Sequence, residues 1–215
     1  MTDSALVGFE PGRLAAQIAI AGAVIAVLAL AALIFVRADL NPSQHMISEY
    51  AIGGHGWIIT VAFFGFAIAS AGLLVALTGV VQGPLGWLGL LCLLAAAIGQ
   101  GMGGAFPMDP TTTAPDAMSF SGRMHGMAFM IGVPGQILAA LLLSFALRNQ
   151  PGWNGALLLG LTVVIWASLG IMGWRIAEMM KDRALDATGL MGWSNRLLMV
   201  GYGLWVVVAA LPRAR

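Results

Sequence analysis

Long apolar runs separated by short polar connections extend along nearly the whole chain. About 20 apolar residues, rising roughly 1.5 Å each, cross the hydrocarbon core of a membrane as a helix. Six windows meet this requirement: residues 14–36, 57–81, 85–104, 124–147, 153–174 and 190–211. The last window must include Asn195 and Arg196, because its purely apolar part (197–211) has only 15 residues. The pattern predicts an all-α fold, a six-helix transmembrane bundle forming a single integral membrane domain over residues 1–215.

The connections between these spans differ in length. Residues 37–56, 105–123 and 175–189 form three long loops, whereas 82–84 and 148–152 are tight turns. With six spans, the three long loops share one membrane face, and both tight turns lie with the termini on the other. Of the 22 ionisable side chains, 16, including all three histidines, fall on the long-loop side. We therefore expect any chemistry or recognition at that face.

The composition limits the class of protein. Only 9% of the residues are charged and 60% are hydrophobic, whereas about 25% are charged in soluble domains. A net charge of +1 offers no electrostatic footprint for nucleic acid, and the single Cys92 excludes an intrachain disulfide. The expected location is the cell membrane and the expected partner is membrane lipid, without nucleic acid; a homo-oligomer is left open.

The two membrane faces differ slightly in their number of basic residues. Six Lys and Arg lie on the long-loop side and four on the other, which by itself would place the long loops inside the cell. Arg37, Arg123 and Arg196 are candidates for an internal polar site, and leaving them out reverses the difference. We therefore expect cytoplasmic termini.

The first long loop, NPSQHMISEYAIGGHGW, carries helix signals. Asn41 suits an N-cap, Pro42 the first helical position, and Gln44 can close a capping box. Gly53 and Gly54 then end the helix. The pattern predicts a helix of about two to three turns along or within the interface.

Three polar residues of this loop would share one face of that helix. His45, Ser48 and Glu49 stand at positions i, i+3 and i+4. A serine activated by histidine, or a His/Glu pair holding a divalent metal, needs these residue types close together. The simpler alternative, which we favour, is an interfacial helix that turns its polar face to water and headgroups.

The second long loop contains three prolines and therefore forms a turn-rich cover rather than a helix. Asp109 and Asp116 are typical of residues that cap turns. Arg123 and His125 open the fourth span. An ionisable group facing the inside of a bundle is a functional candidate by default.

Arg196 is the hardest residue to explain as surface polarity. Inside the membrane region an unpaired charge costs at least about 2.5 kcal/mol. We expect it to snorkel outward or to pair with Glu49 or Asp109. The third loop carries a run of mixed charge that is typical of a solvated surface helix: Arg175, Glu178, Lys181, Asp182, Arg183 and Asp186.

Several residues inside the spans predict contacts between helices. Gly99 and Gly103 form a small-xxx-small pair, which favours a tight crossing over a backbone exposed beside a ligand. Pro134 should kink the fourth span. Gln100 and Gln136 are expected to hydrogen-bond neighbouring helices.

Three segments together resemble a known family: NPSQHMISEYA after the first span, GAFPMD after the third and RMHG opening the fourth. The chain is similar over roughly residues 14–211 to a bacterial and archaeal membrane family known as domain of unknown function 998, related by fold to Frag/Sfk-like membrane proteins. The matching positions are Ile47, Ser48 and Glu49; then Ala105, Phe106, Pro107, Asp109 and His125; and, in part, Asn195 and Arg196. An acidic residue is usual where Asn195 stands. The resemblance implies a six-helix bundle and brings no established activity.

One hypothesis for the function is a binding or transport bundle. A polar pocket at the membrane edge would receive a lipid headgroup or another amphiphile. Its ligand-binding residues would be Glu49, Asp109, Arg123, His125 and Arg196.

The second hypothesis is an intramembrane hydrolase or transferase that acts on lipids. The third is a non-catalytic accessory protein, in which the same charged residues only attach the loops to the bundle. The candidate catalytic residues are His45, Ser48, Glu49, Asp109 and His125. Neither GxSxG nor HExxH is present. No cofactor or metal site is predicted, although a divalent metal held by His, Glu and Asp is left open.

Overall fold

Six long helices make up the computed structural model, which describes residues 10–182 and 190–215. All six are long and apolar enough to cross a membrane. They are α1 (Pro11–Val36), α2 (Trp57–Leu77), α3 (Gly83–Ala105), α4 (Phe120–Leu147), α5 (Gly155–Asp182) and α6 (Leu190–Ala214). No strand occurs in these residues, and the predicted all-α membrane bundle is confirmed.

Three helix ends differ from the predicted spans by four residues or more. α4 begins at Phe120 rather than at residue 124. α2 ends at Leu77 rather than near residue 81, because Val80 N and Val81 N turn back to the Leu77 carbonyl. Gly79 and Gly83 take positive φ in this turn, a conformation that glycine adopts without strain. α5 continues beyond residue 174 to Asp182, so the start of the third long loop is helical.

The mixed-charge run of the third loop is described only in part. Arg175 and Glu178 lie on α5. For Lys181 and Asp182 the structure describes the backbone alone, and Arg183 and Asp186 lie outside the described residues.

Consecutive helices pack against one another, and α1 also packs against α6, which closes the bundle. At one end, Gln17 Nε2 of α1 donates to the Ala214 carbonyl of α6, and Trp153 Nε1 donates to the Ala209 carbonyl. At the other end, Gly192 N donates to the Ser43 carbonyl of the first long loop. The start of α1, the end of α6 and the second tight turn therefore share the end opposite the first loop.

Glycines permit the closest helix crossings. A Cβ on Gly22 of α1 would lie 2.7 Å from the Gly65 carbonyl oxygen of α2, and one on Gly99 of α3 would lie 2.3 Å from Gly132 Cα of α4. Helices in lipid associate through such close backbone approach. The crossing predicted at Gly99 is confirmed, whereas a Cβ on Gly103 would meet the ring of Phe63 on α2.

A chain of buried polar side chains links four helices inside the bundle. The Gln100 amide hydrogen-bonds to Ser70 Oγ (2.8 Å) and to the Gln136 amide (2.9 Å), and Ser70 Oγ lies 2.8 Å from Tyr202 Oη. Gln100 and Gln136 thus make the interhelical bonds predicted for them. α4 continues through Pro134, and the kink expected there stays a prediction.

Candidate functional site

The first long loop is folded differently from the sequence-based prediction. Asn41 Oδ1 accepts from Ser43 N (3.0 Å) and Ser43 Oγ (2.8 Å), which makes a local turn instead of a helix N-cap. The only helical segment of this loop is a five-residue 3₁₀ helix, Ile47–Ala51, hereafter the loop helix. The predicted α-helix of two to three turns is therefore wrong, because the Asn41 side chain closes its own turn.

Glu49 stabilises the start of the loop helix. Its carboxylate accepts Met46 N at 2.8 Å, and its other oxygen lies 2.8 Å from His45 Nδ1. Glu49 thus takes the acceptor role that the sequence analysis assigned to Gln44. His45 and Glu49 do meet, as their spacing suggested, but they bind each other and the loop backbone.

Arg37, directly after α1, fastens the end of this loop. One of its terminal nitrogens donates to the carbonyls of Tyr50 (3.2 Å), Ile52 (2.9 Å) and Gly54 (3.1 Å). Its other two nitrogens bind the Asp39 carboxylate at 2.8 and 2.7 Å. This hydrogen bond lowers the pKa of Asp39 and raises the pKa of Arg37, so the pair stays ionised at neutral pH.

Arg196 fastens the start of the same loop from α6. It donates to the carbonyls of Pro42 and His45, both at 2.7 Å, and to the Gly192 carbonyl of its own helix at 3.1 Å. The residue is only 7% exposed. Among the described side chains no carboxylate pairs with it, so the expected partners Glu49 and Asp109 are wrong: Glu49 is already occupied, and loop carbonyls take the guanidinium instead.

Tyr50 connects the two arginines. The Arg37 and Arg196 guanidinium groups lie 5.9 and 5.1 Å from the centre of its ring, which is fully buried. Its hydroxyl donates to the Leu40 carbonyl at 3.1 Å, and burial raises its pKa. We call Arg37, Arg196 and Tyr50 the loop clamp, because together they bind the first long loop from both of its ends.

The charged residues of the second long loop also bind the protein itself. Asp109 accepts from Ser119 N (2.7 Å) and Ser119 Oγ (2.8 Å), while Ser119 Oγ caps α4 by accepting Gly122 N at 3.0 Å. Arg123 is exposed and donates to the Met118 carbonyl. Both residues therefore fix the junction between the loop and α4.

His125 is held in one orientation near the start of α4. Its Nδ1 lies 2.8 Å from the Phe106 carbonyl oxygen at the end of α3, and its ring meets the Phe63 ring edge-on at 5.9 Å. A carbonyl can only accept, so Nδ1 carries the proton and Nε2 is the acceptor in the neutral ring. No described residue binds Nε2.

A cavity of about 550 Å³ lies between the first long loop and the helices. Five polar residues contribute to its wall: Ser48, Gln100, His125, Gln136 and Asn195. Much of the remainder is large and apolar: Met46, Ile47, Phe63, Met108, Phe129, Met130, Val133, Met172, Ile176, Leu198 and Met199. Gly99 and Gly103 also line it, so the α3 backbone that makes the helix crossing borders the cavity as well.

Only part of the predicted site reaches this cavity. Of the proposed ligand-binding residues only His125 lines it, and of the other candidate catalytic residues only Ser48 does. Glu49, Asp109 and Arg196 hold loops in place.

The sequence analysis assigned no ligand contact to Gln100, Gln136 and Asn195, yet all three line the cavity. Asn195 Oδ1 accepts Ile47 N at 2.9 Å and so ties α6 to the loop helix. The sequence signal that could have identified these three residues is their polarity within otherwise apolar spans.

Residues 10–182 and 190–215 contain no group of three or more His, Cys, Asp or Glu placed to hold a metal ion.

The chain was compared with known protein families, curated proteins and solved structures. The model of a family described as "Protein of unknown function (DUF998)" matches residues 20–212. No curated protein and no solved structure matches the chain. The resemblance inferred from the three loop segments is thereby confirmed.

Arg37 and Asp39 form an ion pair, but substitutions of the two residues should have unequal effects on stability. Arg37→Leu leaves three loop carbonyls without their donor; the Tyr50 carbonyl among them is buried, and one buried unpaired acceptor costs about 1–3 kcal/mol. Asp39→Asn keeps those bonds, and the Asp39 side chain is 61% exposed, so little change is expected. Thermal unfolding in detergent and limited proteolysis within residues 38–56 measure both effects. Equal losses in the two variants would show that the ion pair, and not the carbonyls, holds the loop.

Proposed function

We propose that the protein binds a membrane amphiphile in the cavity beneath the first long loop. The chain belongs to the DUF998 family of proteins of unknown function, and its six apolar helices make it a multi-pass membrane protein. The apolar chain of the ligand occupies the cavity, and the polar end lies toward Ser48 and His125. The observation that carries this proposal is the cavity itself.

The size and wall of the cavity support this ligand class. Ligand sites commonly enclose about 300–1,000 Å³ and are mostly apolar with a few placed polar groups. The cavity of about 550 Å³ fits both descriptions. Its polar residues come from the first loop and from three helices, as expected for a site at the long-loop end of the bundle.

Entry from the lipid between α4 and α5 is part of the proposal. Contacts between these two helices are the sparsest of any consecutive pair in the described residues. Phe129 and Met130 of α4 line the cavity and are also 41% and 70% exposed. Their exposure supports a lateral opening through which an alkyl chain enters without crossing water.

A lipid-directed hydrolase or transferase is the second candidate. It is favoured by one observation: Ser48 and His125, both candidate catalytic residues, line the same cavity. In this version His125 activates Ser48 as a nucleophile. Release of fatty acid from a fluorogenic long-chain ester, lost in Ser48→Ala, would support the enzyme; bound amphiphile without turnover would support the binding protein.

We further propose that both termini lie in the cytoplasm of the cell. The burial of Arg37 and Arg196 supports this orientation, because both are committed to loop carbonyls and do not act as free flanking charges. Without them the excess of basic residues on the long-loop side disappears. The basic residues at the other end (Arg13, Arg148, Arg213 and Arg215) all lie at or near the end of a span.

Filling the cavity tests the proposed ligand site. Gly126 lines the cavity, and a Cβ there would meet no atom within 4 Å. Gly126→Phe should therefore fold and reduce labelling by a photoreactive sixteen-carbon alkyl probe at least about tenfold. Gly160→Phe is the matched control, because Gly160 has the same open space on α5 but does not line the cavity. Equal labelling of the two variants would contradict the site.

Labelling of introduced cysteines tests the orientation. In a Cys92→Ser background, Thr112→Cys in the second long loop should react with a membrane-impermeant maleimide added to intact cells. Asn149→Cys, in a tight turn at the opposite end, should react only after permeabilisation. The reverse result would invert the orientation, and labelling of both from one side would contradict the arrangement of the loops.

A further inference from the structure

We infer that the polar end of the ligand is an uncharged hydroxyl group, which donates a hydrogen bond to His125 Nε2. The ligand class is thus a neutral long-chain amphiphile that carries a hydroxyl, such as a fatty alcohol or an acylglycerol. This inference rests on the proposed function, since it assigns the headgroup of the same ligand.

The acceptor at His125 follows from its contact with α3. The Phe106 carbonyl oxygen, 2.8 Å away, fixes the proton on Nδ1. The edge-on Phe63 ring packs against the imidazole and restricts its rotation. His125 is half-buried, and its Nε2 has no donor among the described residues, so this nitrogen is free to accept a hydrogen bond from a ligand. A ligand hydroxyl supplies that donor.

The other polar groups of the wall are already bound, with one exception. Gln100 and Gln136 bind each other, and Asn195 binds Ile47 N and Met172 Sδ. Ser48 Oγ has no partner in the described part of the chain, and Ser48 lines the same cavity. Two hydrogen-bonding atoms thus remain without a partner in the protein: the acceptor His125 Nε2 and the hydroxyl Ser48 Oγ. This pair suits a small hydroxylated headgroup.

The charges near the cavity argue against an ionised headgroup. The residues that line it in the described structure include no Asp, Glu, Lys or Arg. Arg196 and Arg37 are bound to loop carbonyls, and Asp109 and Glu49 to backbone N–H groups. Among the described lining residues a phosphate would therefore find no cation to replace its hydration, which is strongly unfavourable.

Three probes with one alkyl chain test the headgroup. Each is a sixteen-carbon chain bearing a diazirine and ends in a hydroxyl, a methyl ether or a phosphate monoester. Wild-type protein in nanodiscs should be labelled about three- to tenfold more by the hydroxyl probe than by the ether, the effect of one hydrogen bond. It should be labelled still less by the phosphate.

The His125→Phe variant should reduce labelling by the hydroxyl probe to the level of the ether probe and leave the ether unchanged. The wild-type comparison needs no variant, so misfolding of His125→Phe would leave the test intact. Equal labelling by hydroxyl and ether probes, or a preference for phosphate, overturns this inference. If the headgroup preference is absent but Gly126→Phe still abolishes labelling, only this inference fails and the proposed function stands. If Gly126→Phe changes labelling by none of the probes, the proposed function itself fails.

Discussion

Backbone carbonyls that a loop shields from water need donors from the protein. In the first long loop these donors are the guanidinium groups of Arg37 and Arg196, which together bind the carbonyls of Pro42, His45, Tyr50, Ile52 and Gly54. A buried charge is stable there because polar groups surround it. The loop is thereby held against α1 and α6, and its residues 46–48 become one wall of the cavity.

This use of charge determines the chemistry of the cavity. The carboxylates that could have lined a polar pocket instead cap the loop helix and join the second loop to α4. No Asp, Glu, Lys or Arg remains among the described residues of the cavity wall. His125 differs from the other ionisable candidates because its protein partner takes only Nδ1, which leaves one nitrogen for a ligand.

The helices could be predicted from the sequence, because hydropathy over about 20 residues is a local property. The long-range contacts could not be predicted in this way. Asn41 and Pro42 carry correct helix-start signals, but a side-chain bond to Ser43 competes with the cap. Arg196 was expected to snorkel outward or to pair with a carboxylate; its actual partners are loop carbonyls, which leave no mark in a residue pattern. Gln100 and Gln136 stood out as polar residues in apolar spans, yet only packing shows that both border a cavity.

The central claim is that the clamped loop and the helices enclose a site for a lipid-like ligand. An experimental structure of the wild-type protein in nanodiscs made from native lipids tests it most directly. The account predicts elongated density along Gly99, Val133 and Met199, with one end within hydrogen-bond distance of His125 Nε2. A cavity closed by side chains, or a first long loop detached from Arg37 and Arg196, would contradict it.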